Sequence, residues 1–174
     1  MVVYLQLARG KSKSSLSKFL LTRGTWLILL EVTIVRFGVF FDHDYRFLGF
    51  LQVIWVIGLS MIIMAALIHL PVKVIGAFGV LMIFLHNLLD RFQVQGWRGP
   101  GTAIPGLGAK LWIILHQPFT IFPILPVESP VVVVVYNLIP WVGVMAAGFA
   151  FGSIYKFDAS RRRRVRWWAF GDGD

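Results

Sequence analysis

The chain has 174 residues, of which 57% are hydrophobic and 14% charged, with a mean hydropathy of +0.76 and a formal net charge of +9. A soluble domain keeps roughly a quarter of its residues charged, so a chain of this composition has nowhere but lipid to place its apolar side chains. It has no cysteine, which excludes disulfides and thiolate metal sites, and its basic residues cluster beside apolar runs, which favours membrane orientation over nucleic acid as the reason for the charge.

Met1 to Ala8 is apolar, but basic residues follow it instead of preceding it and no small-residue cleavage site appears. It therefore reads as the last turns of a helix, not as a secretory signal. Phe19 to Phe41 is the first expected span, about 35 Å long as a helix, with Arg9, Lys11, Lys13 and Lys18 before it and Arg23 near its start. A short polar loop over Asp42, His43, Asp44 and Arg46 leads to a second span, Phe47 to Leu70, which stops at Pro71. Val72 to Leu89 is the third. Arg91 to Lys110 carries five glycines (Gly96, Gly99, Gly101, Gly106, Gly108) and two prolines (Pro100, Pro105), so no regular structure is expected there. Leu111 to Val127 is apolar but broken by Pro118, Pro123 and Pro126, which suits a re-entrant or interfacial segment. The last span is Val131 to Tyr155, with a kink expected at Pro140 and close helix packing at Gly143, Ala147, Gly148 and Gly152.

The expected fold is thus all-α: a polytopic membrane helix bundle of about four transmembrane helices plus one proline-broken segment. Residues 1–156 form the membrane domain and residues 157–174 a basic tail. Four crossings put Arg9, Lys11, Lys13, Lys18, Arg23, Lys73, Lys156, Arg161 to Arg164 and Arg166 on one side and only Arg36, Arg46, Arg91, Arg98 and Lys110 on the other. The positive-inside rule then places both termini in the cytoplasm. The tail, four arginines followed by Trp167 and Trp168, reads either as an interfacial anchor or as sequence following a frameshift, and the second reading is preferred.

Glu31 lies near the middle of the first span, where an intramembrane carboxylate is either a substrate or proton site or a paired structural group. Arg36, five positions on, falls about 140° around an α-helix and is not a same-face partner. His86, Asn87 and Asp90 occupy positions i, i+1 and i+4 of the third span and share a face if it is α-helical. A histidine oriented by a carboxylate is a proton-transfer pair, and a polar helix end meeting water is the plainer alternative. Gln52, His116 and Gln117 fall at the same outward depth as Arg36 and Asp90, which points to a polar cavity open to the outside. Two histidines and an aspartate have the donors for zinc, but no short ligand spacing accompanies them, and no metal site is expected.

Five segments in order, SLSKFLLTRGTWLILLEVTIVRFG (Ser15 to Gly38), FLQVIWVIGLSMI (Phe50 to Ile62), HNLLD (His86 to Asp90), LHQP (Leu115 to Pro118) and NLIPWVGVMAAGFAFG (Asn137 to Gly152), resemble the bacterial branch of the heparan-alpha-glucosaminide N-acetyltransferase catalytic-domain family. The resemblance covers about residues 2 to 165. It implies an acyltransferase-like protein of the bacterial inner membrane, with acetyl-CoA as co-substrate of the complete protein and no permanently bound cofactor. The family's opening helices, with an Arg-Gly pair, an Asp-His pair and the catalytic histidine, have no counterpart in this sequence. The expectation is therefore an incomplete piece, inactive alone, whose partners are the lipid bilayer and further helices of a longer protein or a homo-oligomer, with no nucleic acid. A transporter or channel component, or a non-catalytic membrane scaffold, is the alternative.

Overall fold

The computed structural model describes residues 2–8, 10–41 and 43–153. The expected tail, the end of the last span at Tyr155, and Arg9, Asp42 and Lys156 lie outside the described residues. In chain order the elements are α1 (Val2–Ala8) and α2 (Lys13–Leu30), which runs through a π-helical turn (Glu31–Val35) into α3 (Arg36–Phe40). β1 (Phe47–Leu51) leads into α4 (Val53–Leu67), and α5 (Val72–Leu85) tightens into a 3-10 turn (His86–Arg91). Then come α6 (Leu107–His116), β2 (Thr120–Pro123), β3 (Val131–Val134) and α7 (Leu138–Phe151).

Local chemistry sets several of these boundaries. α2 begins six residues earlier than the apolar run because the Ser12 hydroxyl accepts the Ser15 N–H at 3.2 Å, a helix cap that lets polar residues fill the first turns. α3 stops where Phe41 adopts the left-handed conformation, with φ of 51°. Pro71 ends the turn after α4 and opens α5 as its N-cap.

Two glycine crossings pack the long helices in pairs. A Cβ placed on Gly24 of α2 would lie 2.5 Å from the Gly58 carbonyl oxygen of α4, and one on Gly79 of α5 would lie 2.7 Å from the Gly143 carbonyl oxygen of α7. Without side chains in the way, the backbones approach closely, as expected at Gly143 and Ala147 of the last span, whereas a Cβ on Gly148 would meet nothing within 4 Å. α4 and α7 join the two pairs. Leu16, Leu20, Met64, Ala65, Ile75, Ala146 and Phe149 fill one end of the bundle. Trp55, Val56, Ile113, Phe122, Val132, Val134, Leu138 and Val142 fill the other, beneath the sheet. The starts of α4 and α7 share one cluster and their ends share the other, so these two neighbours run in the same direction.

The sheet corrects the all-α expectation. Its order is β1-β3-β2, with β1 and β3 parallel and β2 and β3 antiparallel. β1 and β3 are parallel because each feeds one of two parallel neighbours, α4 and α7. Gly49 sits at the irregular step in β1 with φ of 119°, a conformation that any other residue would strain, and a Cβ placed there would lie 3.5 Å from Arg36 and Phe40. The second and fourth expected spans therefore each begin as a strand, and their helices have 15 and 14 residues, about 22 Å each. Pro140 falls in the first turn of α7, where it removes no helical hydrogen bond, and so makes no central kink. The proline-broken segment is part of α6 followed by β2, and α6 begins inside the expected loop. Among the described residues one helix, Val72–Arg91, is long and apolar enough to cross a membrane by length and composition, and only 11% of its apolar window is buried.

Candidate functional site

The π turn decides the geometry around Glu31. Its Arg36 N–H donates to the Glu31 carbonyl, five residues back, so positions 31 and 36 stand one above the other instead of 140° apart. Thr33 supports the widened turn by donating its hydroxyl to Leu29 O at 2.5 Å. Both ionisable side chains are consequently buried, Glu31 at 2% and Arg36 at 3% exposure, which corrects the expectation that they face different ways. Glu31 Oε1 accepts the Gln52 N–H at 3.0 Å, at the junction of β1 and α4, and its Oε2 has no hydrogen-bond partner among the described residues. The Arg36 guanidinium donates to Phe47 O at 3.1 Å and to Asp44 O, and stacks over Tyr45 at 4.3 Å. Glu31, Arg36 and Gln52 line a space of about 10 Å³, the size of a single water, with Val35, Phe40 and Phe50. This group ties the end of the first long helix to the sheet and leaves no room for a substrate.

The second group lies where α6 meets the 3-10 turn. His116 Nε2 stands 2.9 Å from Asp90 Oδ1, with the imidazole 4% and the carboxylate 65% exposed. An ionised carboxylate only accepts, so Nε2 carries the shared proton, and the buried Nδ1 has no partner among the described residues. Asn137 fixes the histidine backbone by donating from Nδ2 to His116 O at 3.0 Å. Gln117 clamps both backbone groups of Val94, accepting from its N–H at 2.9 Å and donating to its carbonyl at 2.8 Å, and also donates to Thr120 Oγ1 at 3.2 Å. Trp112 packs its ring 5.6 Å from that of His116 and donates to Phe92 O. A buried imidazole thus holds out an exposed carboxylate on a braced frame.

The expected single cavity is therefore sorted into two groups, Glu31, Arg36 and Gln52 in one and Asp90, His116 and Gln117 in the other. His86 and Asn87 join neither through the contacts described. The expectation that His86, Asn87 and Asp90 share a face fails because residues 86–91 form a 3-10 turn, in which i and i+3 eclipse, so Asn87 aligns with Asp90. The His86 ring lies 2.6 Å through Nδ1 from Ile83 O on its own helix. Asn137 was not foreseen as a site residue. In the sequence it lies within the expected last span and opens the fifth family segment; in the structure it stands at the N-cap of α7 and braces His116 instead of capping that helix.

No curated protein and no solved structure matches the chain. A family model described as heparan-alpha-glucosaminide N-acetyltransferase, catalytic, matches residues 2–172, nearly the whole chain and all five segments in which the resemblance was read. The chain belongs to the heparan-alpha-glucosaminide N-acetyltransferase catalytic-domain family, whose members are acetyltransferase-like and membrane-associated.

Proposed function

We propose that this chain is a membrane-embedded acyltransferase-like protein whose acceptor amine is received by Asp90 and His116. The observation that carries the reading, beside family membership, is the exposed Asp90 carboxylate held at 2.9 Å by a buried histidine. Acetyl-CoA is the donor and a glucosamine-type amine the acceptor. Asp90 pairs with the incoming ammonium, and the Asp90–His116 pair takes the proton that the amine must shed before its nitrogen attacks the carbonyl of the acetyl group passed on from acetyl-CoA. The carbon–nitrogen bond forms as the bond from the acetyl carbon to its leaving group breaks; the leaving group departs with the electron pair and takes up the second proton that the acylated nitrogen sheds. Asp90 touches the acceptor; His116, Asn137 and Gln117 are positioning residues.

In this reading the four long helices sit in lipid, with both termini on the cytoplasmic side of a bacterial inner membrane. The short α4 and α7 reach across because each continues a strand: five residues of β1 add about 16 Å to the 22 Å of α4, together more than a 30 Å hydrocarbon core. Strand backbone at that depth needs internal partners, and the sheet with its covering segments supplies them. Exposed Phe19, Trp26 and Leu29 on α2 and Phe78, Leu81 and Phe84 on α5 are the surface that lipid or neighbouring helices cover.

The test is transfer of labelled acetyl from acetyl-CoA to a glucosaminide by vesicles carrying a complete member of the family, with each substitution made at the position that matches it. Asp90→Asn and His116→Phe are expected to lower kcat/KM for the acceptor by about a hundredfold, the scale of a lost acid–base pair. His86→Ala is expected to leave it unchanged. Transfer indifferent to Asp90→Asn would sink the assignment.

A further inference from the structure

A wide opening whose lining includes neither Asp90 nor His116 lies across the rim of the sheet. It has a volume of ≈ 730 Å³ and is lined by Arg46, Phe47, Trp97, Ile121, Glu128 and Ser129 among others, within the roughly 300–1,000 Å³ range of ligand pockets. Its walls are fastened by backbone bonds. Val131 N–H donates to Arg46 O at 2.8 Å, Trp97 N–H to Ile121 O at 2.9 Å and Ile124 N–H to Pro130 O at 2.9 Å. Gly101 N–H donates to Glu128 Oε1 at 2.7 Å, and the buried Lys110 reaches from α6 to donate to Ile124 O and Leu125 O. Gly96 lets the loop lie against β2, since a Cβ there would run into the Thr120 methyl group.

The lining combines one cation, one anion and two aromatic rings. The Arg46 side chain is 86% exposed, with its Nε 4.0 Å from Asp44 Oδ1, the outer limit of an ion pair. Glu128 is exposed and uses Oε1 for Gly101. Beside the groove, Ile121, Ile124, Leu125 and Val127 are exposed and form an apolar shoulder on β2 and the loop that follows it.

We propose that this groove binds the headgroup of a zwitterionic phospholipid. The phosphate sits on the Arg46 guanidinium, whose planar fork matches phosphate oxygens. The ammonium lies between Glu128 and the Trp97 face, joining an ion pair to a cation–π contact. The acyl chains lie along Ile121, Ile124, Leu125 and Val127. A neutral sugar headgroup would use the rings but neither charge, and an anionic headgroup would meet the Glu128 carboxylate without a counter-charge. The site is independent of the acyl-transfer reading.

The test uses the full chain purified in a maltoside detergent and titrated, without acetyl-CoA, with dihexanoyl phosphatidylethanolamine, dihexanoyl phosphatidylglycerol or octyl glucoside, with binding followed by native mass spectrometry. Phosphatidylethanolamine is expected to bind tightest. R46Q should weaken its binding roughly tenfold, the scale of one charged hydrogen bond. E128Q, which keeps an oxygen for Gly101, should weaken phosphatidylethanolamine by a similar factor and leave phosphatidylglycerol unaffected or tighter. Arg46→Lys should lose less than R46Q. Circular dichroism melts matching the parent establish that each variant is folded, and exposure of both side chains makes that outcome expected. Equal binding of all three probes, preference for the glucoside, or indifference to both R46Q and E128Q would overturn the proposal.

Discussion

Glu31 and Arg36 belong to a junction in which one Glu31 oxygen holds the Gln52 N–H and the Arg36 guanidinium holds two loop carbonyls. Glu31→Leu leaves the Gln52 N–H without its acceptor and should cost about 1–3 kcal/mol, while Glu31→Gln keeps a carbonyl oxygen and should cost under about 1 kcal/mol. Unfolding in graded denaturing detergent reads the difference, and equal losses would mean that the carboxylate charge, not the hydrogen bond, matters. Arg36→Met removes the donor to Phe47 O and Asp44 O, so the loop before β1 should become protease-sensitive while the helices keep their circular dichroism signal. Residue types alone marked these positions, as they marked Asp90 and His116, because charged groups among apolar ones stand out. Their partners were not legible. The π turn that aligns 31 with 36 and the 3-10 turn that realigns 87 with 90 alter helical periodicity without leaving a mark in composition.

At the scale of elements, the glycines divide into those that touch something and those that do not. Gly58→Ala places a Cβ 2.7 Å from the Gly24 carbonyl oxygen, rigid backbone that must yield, and should destabilise by about 1–3 kcal/mol. At Gly148 nothing lies within 4 Å of a built Cβ, so Gly148→Ala should stabilise by up to about 1 kcal/mol through helix propensity. Thermal unfolding of the two variants side by side gives opposite shifts if the crossings hold the bundle together. The helices themselves were largely legible, since long apolar stretches bounded by Pro71 and the glycine-rich loop admit little else. The strands were not. Phe47–Leu51 and the valines of 131–134 are continuous with helical apolar runs, and a short apolar run looks alike whether it is strand or helix. Five consecutive β-branched residues, Val131 to Val135, were the available warning.

For the whole molecule, the proposed orientation makes a prediction that the natural absence of cysteine renders simple to check. Single cysteines replacing Ser14, in the first turn of α2, and Thr102, in the glycine-rich loop, should react with a membrane-impermeant maleimide from opposite sides of the membrane. Labelling of both from one side would overturn the four-crossing arrangement. The same view gives the central strand a role in time. β3 is the middle strand, yet it is the last of the three to be synthesised, and its partner β1 lies 80 residues earlier. Until Val131 leaves the ribosome, β1 and β2 have no common neighbour, and the Arg46 carbonyl waits for its donor. α2 and α4 have only a short connection to close before they lock, whereas α5 must wait for α7 across the whole glycine-rich loop. The order of synthesis is therefore expected to set an order of assembly: one helical pair first, then an interval in which β1 and β2 are both unpaired, then a late closure that completes the sheet and the second pair together.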